Sequence, residues 1–191
     1  MYRTADHTAL LIVDMINDLS FPGGEKLAPP ATLAARHIRA LKDQLQPSGV
    51  PVIYANDNFG KWRSDISEEI DRVRDSGSRG RALLQYLVPT CEDYVVLKPR
   101  HSAFFATPLD TLLNELQVNR LILTGIATDS CILFSAYDAY MRGYQLWIPE
   151  DCTAAESEES CESALRLAAR VLGADTASSL TGQFTEPELP F

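Results

Sequence analysis

The sequence contains little histidine, and its cysteines form no metal-binding pattern. Only 3 of the 191 residues are histidine, and none clusters with a cysteine at zinc-ligand spacing. The even number of cysteines allows a disulfide framework in principle, but a chain of this length buries a full core without one. No Cys-x-x-Cys pair occurs either, so the sequence predicts neither a zinc site nor a dithiol redox motif. The four cysteines are Cys91, Cys131, Cys152 and Cys161.

Long hydrophobic runs and basic runs are also missing. The first apolar stretch, residues 9–13, ends at Asp14 and is too short for the core of a signal peptide. No segment approaches the ~20 apolar residues that a membrane-spanning helix needs. The net charge is −9, and an acidic surface repels phosphate backbones. We therefore expect a cytoplasmic protein with no membrane and no nucleic acid among its partners.

The remaining composition is typical of one globular domain. Hydrophobic residues make up 46% of the chain and charged residues 23%, and we find no repeat, low-complexity tract or linker. We therefore predict a single domain over residues 1–191.

Strand-type and helix-type patterns alternate along the chain. This alternation predicts an α/β fold with three α/β/α layers and an open, mostly parallel sheet of five to six strands. Two groups of helix-breaking residues, Pro22-Gly23-Gly24 and Pro29-Pro30, make residues 15–30 a predicted loop. The predicted strands are residues 9–13, 50–54, 94–97, 120–124 and 144–148, with 175–178 as a candidate edge strand; the predicted helices are 31–45, 67–73, 83–87, 109–116, 130–142 and 157–172.

Three residues whose side chains can take part in catalysis follow three of these strands. Asp14 follows the first strand, Lys98 the third and Cys131 the fourth. Ligand sites of open parallel sheets lie at the carboxyl ends of the strands, so we expect the three side chains to meet there. Taken singly, each has an ordinary structural explanation: a turn carboxylate, a solvated lysine and a small buried thiol.

Together, the three residues predict nucleophilic catalysis. Thr128, Asp129 and Ser130 are good helix caps, so Cys131 should lie in a first helical turn, where the dipole and a nearby Lys98 ammonium favour a thiolate. A carboxylate at Asp14 can accept the thiol proton and return it to a leaving nitrogen. His101 is interpreted as a surface or supporting residue.

Three sequence blocks resemble the isochorismatase-like cysteine hydrolases, a family that includes nicotinamidases and N-carbamoylsarcosine amidohydrolases. The blocks are Leu11-Ile12-Val13-Asp14-Met15-Ile16-Asn17-Asp18, Lys98-Pro99-Arg100-His101-Ser102-Ala103-Phe104 and Thr124-Gly125-Ile126-Ala127-Thr128-Asp129-Ser130-Cys131. The resemblance spans nearly the whole chain and implies an isochorismatase-like, Rossmann-like fold and assembly into a homo-oligomer.

The resemblance also implies roles for individual residues. Asp14, Lys98 and Cys131 would be the catalytic triad, and Asn17 would hold the loop that carries Asp14. A cis peptide between Ile126 and Ala127 would direct backbone N–H groups, so that those of Ala127 and Cys131 form an oxyanion hole.

One departure from the family pattern bears on the substrate. Metal-dependent nicotinamidases carry an Asp-x-His motif after the second strand, whereas Asp57-Asn58-Phe59 stands here and no histidine lies between His37 and His101. The sequence therefore predicts no metal and no other cofactor, and makes nicotinamide a doubtful substrate. Isochorismate is also doubtful, because family members that cleave its vinyl ether do not depend on the cysteine.

The predicted function is a metal-free cysteine amidohydrolase. Cys131 would attack a small amide, ureido or carbamoyl carbon, and water would then hydrolyse the thioester with Asp14 again as the base. The alternatives are an isochorismatase-type vinyl ether hydrolase, a thiol redox protein and a non-catalytic oligomeric binding protein of the same fold. Candidate substrate-binding residues are Asn17, Phe21, Asn58, Trp62 and Phe104, each of which has core packing as the other explanation.

Overall fold

In the part of the chain that the computed structural model describes (residues 7–62, 65–75 and 77–181), six strands alternate with five α-helices. Short 3₁₀ segments lie at Gln46–Ser48, Arg79–Gln85 and Glu150–Cys152, and a π-helical turn at Thr128–Ile132. The strands are β1 (Thr8–Val13), β2 (Val52–Asp57), β3 (Tyr94–Lys98), β4 (Arg120–Ile126), β5 (Gln145–Trp147) and β6 (Thr153–Ala154). The helices are α1 (Gly24–Leu45), α2 (Ile66–Asp75), α3 (Leu109–Glu115), α4 (Leu133–Met141) and α5 (Glu158–Leu172).

The strands form one parallel sheet in the order β3-β2-β1-β4-β5, with β6 paired to β4 beyond the end of β5. This architecture confirms the predicted α/β/α fold and its parallel sheet. The order reverses between β1 and β4, and such a switch point opens a crevice at the carboxyl ends of the two strands. The candidate edge strand at residues 175–178 is reduced to a single bridge between Trp147 and Asp175.

Alternate residues of the central strands feed two cores, one on each face of the sheet. Leu11 and Val13 of β1 pack with α3, α4 and α5, whereas Leu10 and Ile12 pack with α1. Burial on both faces explains why β1 is a continuous apolar run.

The predicted loop at residues 15–30 is wrong in its second half, because α1 begins at Gly24 and runs through Pro29 and Pro30. The prolines lie on its partly exposed side, while Leu27 and Ala31 are buried against the sheet. Burial of that apolar face outweighs the two backbone hydrogen bonds that the prolines remove.

Several other boundaries differ from the prediction. β2 continues to Asp57 and β4 to Ile126, because pairing with their neighbours extends past the predicted ends at residues 54 and 124. The predicted helix at 83–87 is a 3₁₀ segment, Arg79–Gln85, and the two-residue β6 is too short to give a sequence signal. No helix among the described residues has the length and hydropathy to cross a membrane.

Candidate active site

Asp14 lies at the switch point, directly after β1. Its φ is +54°, so the chain turns sharply as the strand ends, in a conformation that Asp tolerates better than most residues. On the neighbouring strand, Gly125 pairs with Val13, and a Cβ atom on Gly125 would lie 2.0 Å from the Val13 carbonyl oxygen. The absence of a side chain at Gly125 therefore lets the ends of β1 and β4 approach closely.

Lys98, the last residue of β3, reaches the same point from two strands away. Neighbouring strands lie about 4.8 Å apart, so its extended side chain spans the end of β2. The fully buried Nζ lies 2.7 Å from Asp14 Oδ2 and 3.6 Å from Cys131 Sγ. It also donates to the carbonyl oxygen of Arg100 at 3.1 Å. The three residues expected to converge do so.

Cys131 lies inside the π-helical turn that joins β4 to α4. The predicted capping by Thr128, Asp129 or Ser130 is wrong, because the turn begins right after Ala127, which has no side-chain acceptor. The Thr128 hydroxyl instead lies 3.3 Å from Cys161 Sγ on α5. The Ile126–Ala127 peptide that precedes the turn is cis.

The charges around the sulfur do not favour a resting thiolate, contrary to the sequence-based expectation. Lys98 already faces two carboxylates, Asp14 at 2.7 Å and Asp57 at 3.7 Å, so no positive charge is left over for Cys131. Burial and the Asp14 carboxylate raise the pKa of the Cys131 thiol to about 12, against the opposing effect of Lys98. The Cys131 side chain is therefore a thiol at rest.

The proton balance of the buried pair is set by its surroundings. Burial raises the pKa of Asp14 above its ordinary value of 3.8, although Lys98 and the hydrogen bonds to Asp14 act in the opposite direction. Burial lowers the pKa of Lys98, but the facing carboxylate of Asp14, its hydrogen bond and the carboxylate of Asp57 outweigh it, and the net effect is a raised pKa. Lys98 is thus held as an ammonium ion that orients the carboxylate.

Two residues that sequence reasoning missed hold Asp14 in place. Asn56 is buried at the end of β2, where its side chain accepts from the Ile16 N–H at 3.0 Å and donates to the Ile16 carbonyl at 2.9 Å. The Asp57 N–H donates to Asp14 Oδ1 at 2.7 Å. The sequence signal for this role is that β2 ends in two polar residues, Asn56 and Asp57. Only the pairing of the strands shows that they lie beside Asp14 and its loop. The expected clamp, Asn17, instead accepts from the Leu19 N–H at 2.8 Å and stabilises the next turn.

A cavity of about 460 Å³ opens beside the cluster. It reaches the cluster through Asp57, next to Lys98, and through His101, next to Cys131. Two of the candidate substrate-binding residues, Asn58 and Trp62, line it. The complete lining is Asp57, Asn58, Gly60, Trp62, Pro99, Arg100, His101, Phe105 and Ala106.

The expectation that Phe104 and Phe21 line the cavity is wrong. Phe104 is buried in the core, its ring centroid 5.9 Å from that of Tyr144, and its neighbour Phe105 lines the cavity instead. Phe21, just before α1, lies partly exposed outside the lining. The motif gave the segment but not which of two adjacent phenylalanines turns inward.

His101 lies closer to the Cys131 sulfur than the sequence suggested. Its Nδ1 lies 3.7 Å from Cys131 Sγ, and its ring centroid is 5.5 Å from that of Phe134 on α4. Its position three residues after Lys98 was the only sequence signal.

The described residues contain no group of three or more His, Cys, Asp or Glu side chains arranged to hold a metal ion. In particular, Asp57 is directed to Lys98 and to the Phe59 N–H, which donates to its Oδ1 at 2.6 Å.

The chain matches a family model described as Isochorismatase domain over residues 8–179. YaaI of Bacillus subtilis, named an uncharacterized isochorismatase family protein, is 44% identical over 167 residues, which is 87% of this chain and 91% of YaaI. The ureidoacrylate amidohydrolase RutB of Enterobacter sp. (strain 638) is 30% identical over 183 residues, 83% of this chain and 80% of RutB. Among solved structures, the N-carbamoylsarcosine amidase of Thermoplasma acidophilum has a TM-score of 0.69 and 26% identity, and covers 93% of this chain and 99% of its own.

Proposed function

The chain belongs to the isochorismatase family of hydrolases, and we propose that it is a cysteine amidohydrolase that cleaves a C–N bond of a small amide, ureido or carbamoyl compound. The observation that carries the proposal is the contact of the Lys98 ammonium with both the Asp14 carboxylate and the Cys131 sulfur, beside an open cavity. The names of two relatives, a ureidoacrylate amidohydrolase and a maleamate amidohydrolase, support the substrate class.

In the first half-reaction, Cys131 attacks the carbonyl carbon as its proton passes to Asp14. A thiol with a pKa of about 12 is a poor nucleophile unless a base takes its proton during the attack. Asp14 is that base, because its raised pKa makes its carboxylate a better proton acceptor than an ordinary Asp. The same proton then protonates the leaving nitrogen, the C–N bond breaks, and a thioester on Cys131 remains.

The negative charge that develops on the carbonyl oxygen is held by the backbone N–H groups of Ala127 and Cys131. The turn is fixed by the Ala127 carbonyl, which accepts from the N–H groups of Ser130 and Ile132, each at 3.1 Å. Backbone donors of this kind need no rearrangement during the reaction, and losing one typically costs ~10²–10³ in rate. Water then hydrolyses the thioester.

The experiment is an ammonia-release screen over small amides, ureas and carbamoyl compounds, including ureidoacrylate, maleamate, N-carbamoylsarcosine and nicotinamide. We expect turnover of at least one compound and a loss of ~10⁴-fold or more in kcat for Cys131→Ala, since removing a nucleophile disables the whole catalytic unit. Cys131→Ser is the control for folding. Equal turnover by wild type and Cys131→Ala would contradict the proposal, and peroxide consumption without ammonia release would favour a thiol redox protein.

A further inference from the structure

His101 is an exposed residue that lies between the cavity and the Cys131 sulfur. Its imidazole lines the cavity, and its Nδ1 is 3.7 Å from Cys131 Sγ. The ring therefore lies on one of the two sides by which the cavity approaches the cluster, the side next to Cys131.

Two side chains, those of Ser135 and Lys98, hold the backbone around His101 in place relative to Cys131. Ser135, which is fully buried on α4, donates to the Cys131 carbonyl at 2.6 Å and accepts from the Ala103 N–H at 2.9 Å. The other side of the segment is tied by Lys98, whose Nζ donates to the Arg100 carbonyl at 3.1 Å. One hydroxyl thus couples the turn of the nucleophile to the segment of His101, which is the kind of support that a catalytic group requires.

Asp14 is poorly placed to receive a proton from incoming water. Its Oδ2 contacts the Lys98 ammonium and its Oδ1 accepts from the Asp57 N–H, both at 2.7 Å. Its side chain is only 7% exposed. Asp14 suits the buried proton transfer from the thiol, whereas hydrolysis of the thioester needs a base that faces the solvent.

Accepting the amidohydrolase function as the premise, we propose that His101 is the general base of the second half-reaction and activates the water that hydrolyses the Cys131 thioester. Once Cys131 is acylated, the sulfur carries no hydrogen, and a water molecule that donates to Nδ1 can approach the carbonyl carbon attached to the sulfur. Water adds to that carbon as its proton moves to Nδ1. The C–S bond then breaks, the sulfur takes the proton from Nδ1, and the carboxylic acid leaves.

The test uses p-nitrophenyl acetate, an acylating probe that separates the two half-reactions without the natural substrate. Release of the first equivalent of p-nitrophenolate measures acetylation of Cys131, and the steady-state rate then measures deacylation. For His101→Gln we expect a first-equivalent rate within ~2-fold of wild type and a steady-state rate lower by ~10²-fold or more, since a lost general base costs ~10²–10⁴. Mass spectrometry should find that acetyl-Cys131 persists longer in this variant than in wild type once the probe has been consumed.

His37→Gln is the matched control, because His37 pairs with Asp151 at 3.5 Å and is absent from the cavity lining. The His37→Gln variant should keep the first-equivalent rate and the steady-state rate of wild type. Added imidazole should restore the steady-state rate of His101→Gln. A normal first phase with unchanged turnover in His101→Gln would overturn the assignment, as would an equal fall in both phases, which indicates a purely structural role. If wild type and Cys131→Ala release p-nitrophenolate equally, Cys131 is not the nucleophile and the proposed function itself fails.

Discussion

Two lysine–aspartate pairs among the described residues lie at opposite edges of the same sheet, and of these two only the pair at the carboxyl edge contacts a cysteine sulfur. At the carboxyl edge, Lys98 lies 2.7 Å from Asp14; at the amino edge, Lys42 of α1 lies 2.6 Å from Asp93, the residue before β3. Asp93 also accepts from the backbone N–H and hydroxyl of Thr90, at 2.7 and 3.0 Å. The amino-edge pair thus fastens a loop to a helix.

Cavity size does not distinguish the two edges. The cavity at the amino edge is the larger, at about 570 Å³ against about 460 Å³, and it is lined by Lys42 and Asp93. What the carboxyl edge has in addition is the Cys131 sulfur, 3.6 Å from the lysine nitrogen. The sulfur therefore distinguishes the two edges, and it lies at the carboxyl ends of the strands, where open parallel sheets bind their ligands.

The largest expected difference between the two pairs is in catalysis. Lys98→Met and Lys42→Met should each lower the free energy of unfolding by about 3–5 kcal/mol, because each leaves a buried carboxylate without its partner. Only Lys98→Met should also lower kcat/KM, by ~10²–10⁴-fold, through loss of the group that orients the Asp14 base. Urea denaturation and the amidase assay measure the two effects. A comparable loss of kcat/KM in folded Lys42→Met would break the comparison.

The second expected effect concerns the ionisation of the Cys131 thiol, which lies beside the carboxyl-edge pair. With a pKa of about 12, the rate of Cys131 alkylation by iodoacetamide should rise about tenfold per pH unit from about pH 7 to about pH 10, without a plateau. Asp14→Asn removes a negative charge that opposes the thiolate and should move the profile to lower pH, whereas Lys98→Met should move it to higher pH. The measurement is best made in a Cys91→Ser background, because Cys91 is exposed. A plateau below pH 9.0, the ordinary thiol value, would restore the resting thiolate that the sequence suggested.

The smallest expected effects on catalysis distinguish two adjacent phenylalanines at the carboxyl edge. Phe104→Ala should lower the free energy of unfolding by about 3–5 kcal/mol and leave KM unchanged, because Phe104 is in the core. Phe105→Ala should change stability by less than ~0.5 kcal/mol, since its side chain is half exposed, and should raise KM a few-fold through loss of cavity wall. Thermal denaturation measures the change in stability and substrate titration the change in KM. A raised KM for Phe104→Ala with an unchanged KM for Phe105→Ala would assign Phe104 to the substrate-binding site.

Much of the fold could be predicted from local patterns. The apolar run of β1 and the alternation of strands with amphipathic helices predicted a parallel sheet covered on both faces, because burial periodicity depends on neighbouring residues. The start of α1 at Gly24 could not be predicted, since two prolines favour a loop and only the packing of Leu27 and Ala31 overrides them.

The sequence by itself determined which residues approach one another: an Asp, a Lys and a Cys that follow parallel strands must come to the same edge of the sheet. The tertiary structure alone decided their chemical state and their neighbours. The second carboxylate beside Lys98, the approach of His101 to the sulfur and the inward turn of Phe104 depend on distances across three strands and a helix. Electrostatic and packing energies change steeply over such distances of a few ångströms, and no local pattern in the chain encodes them.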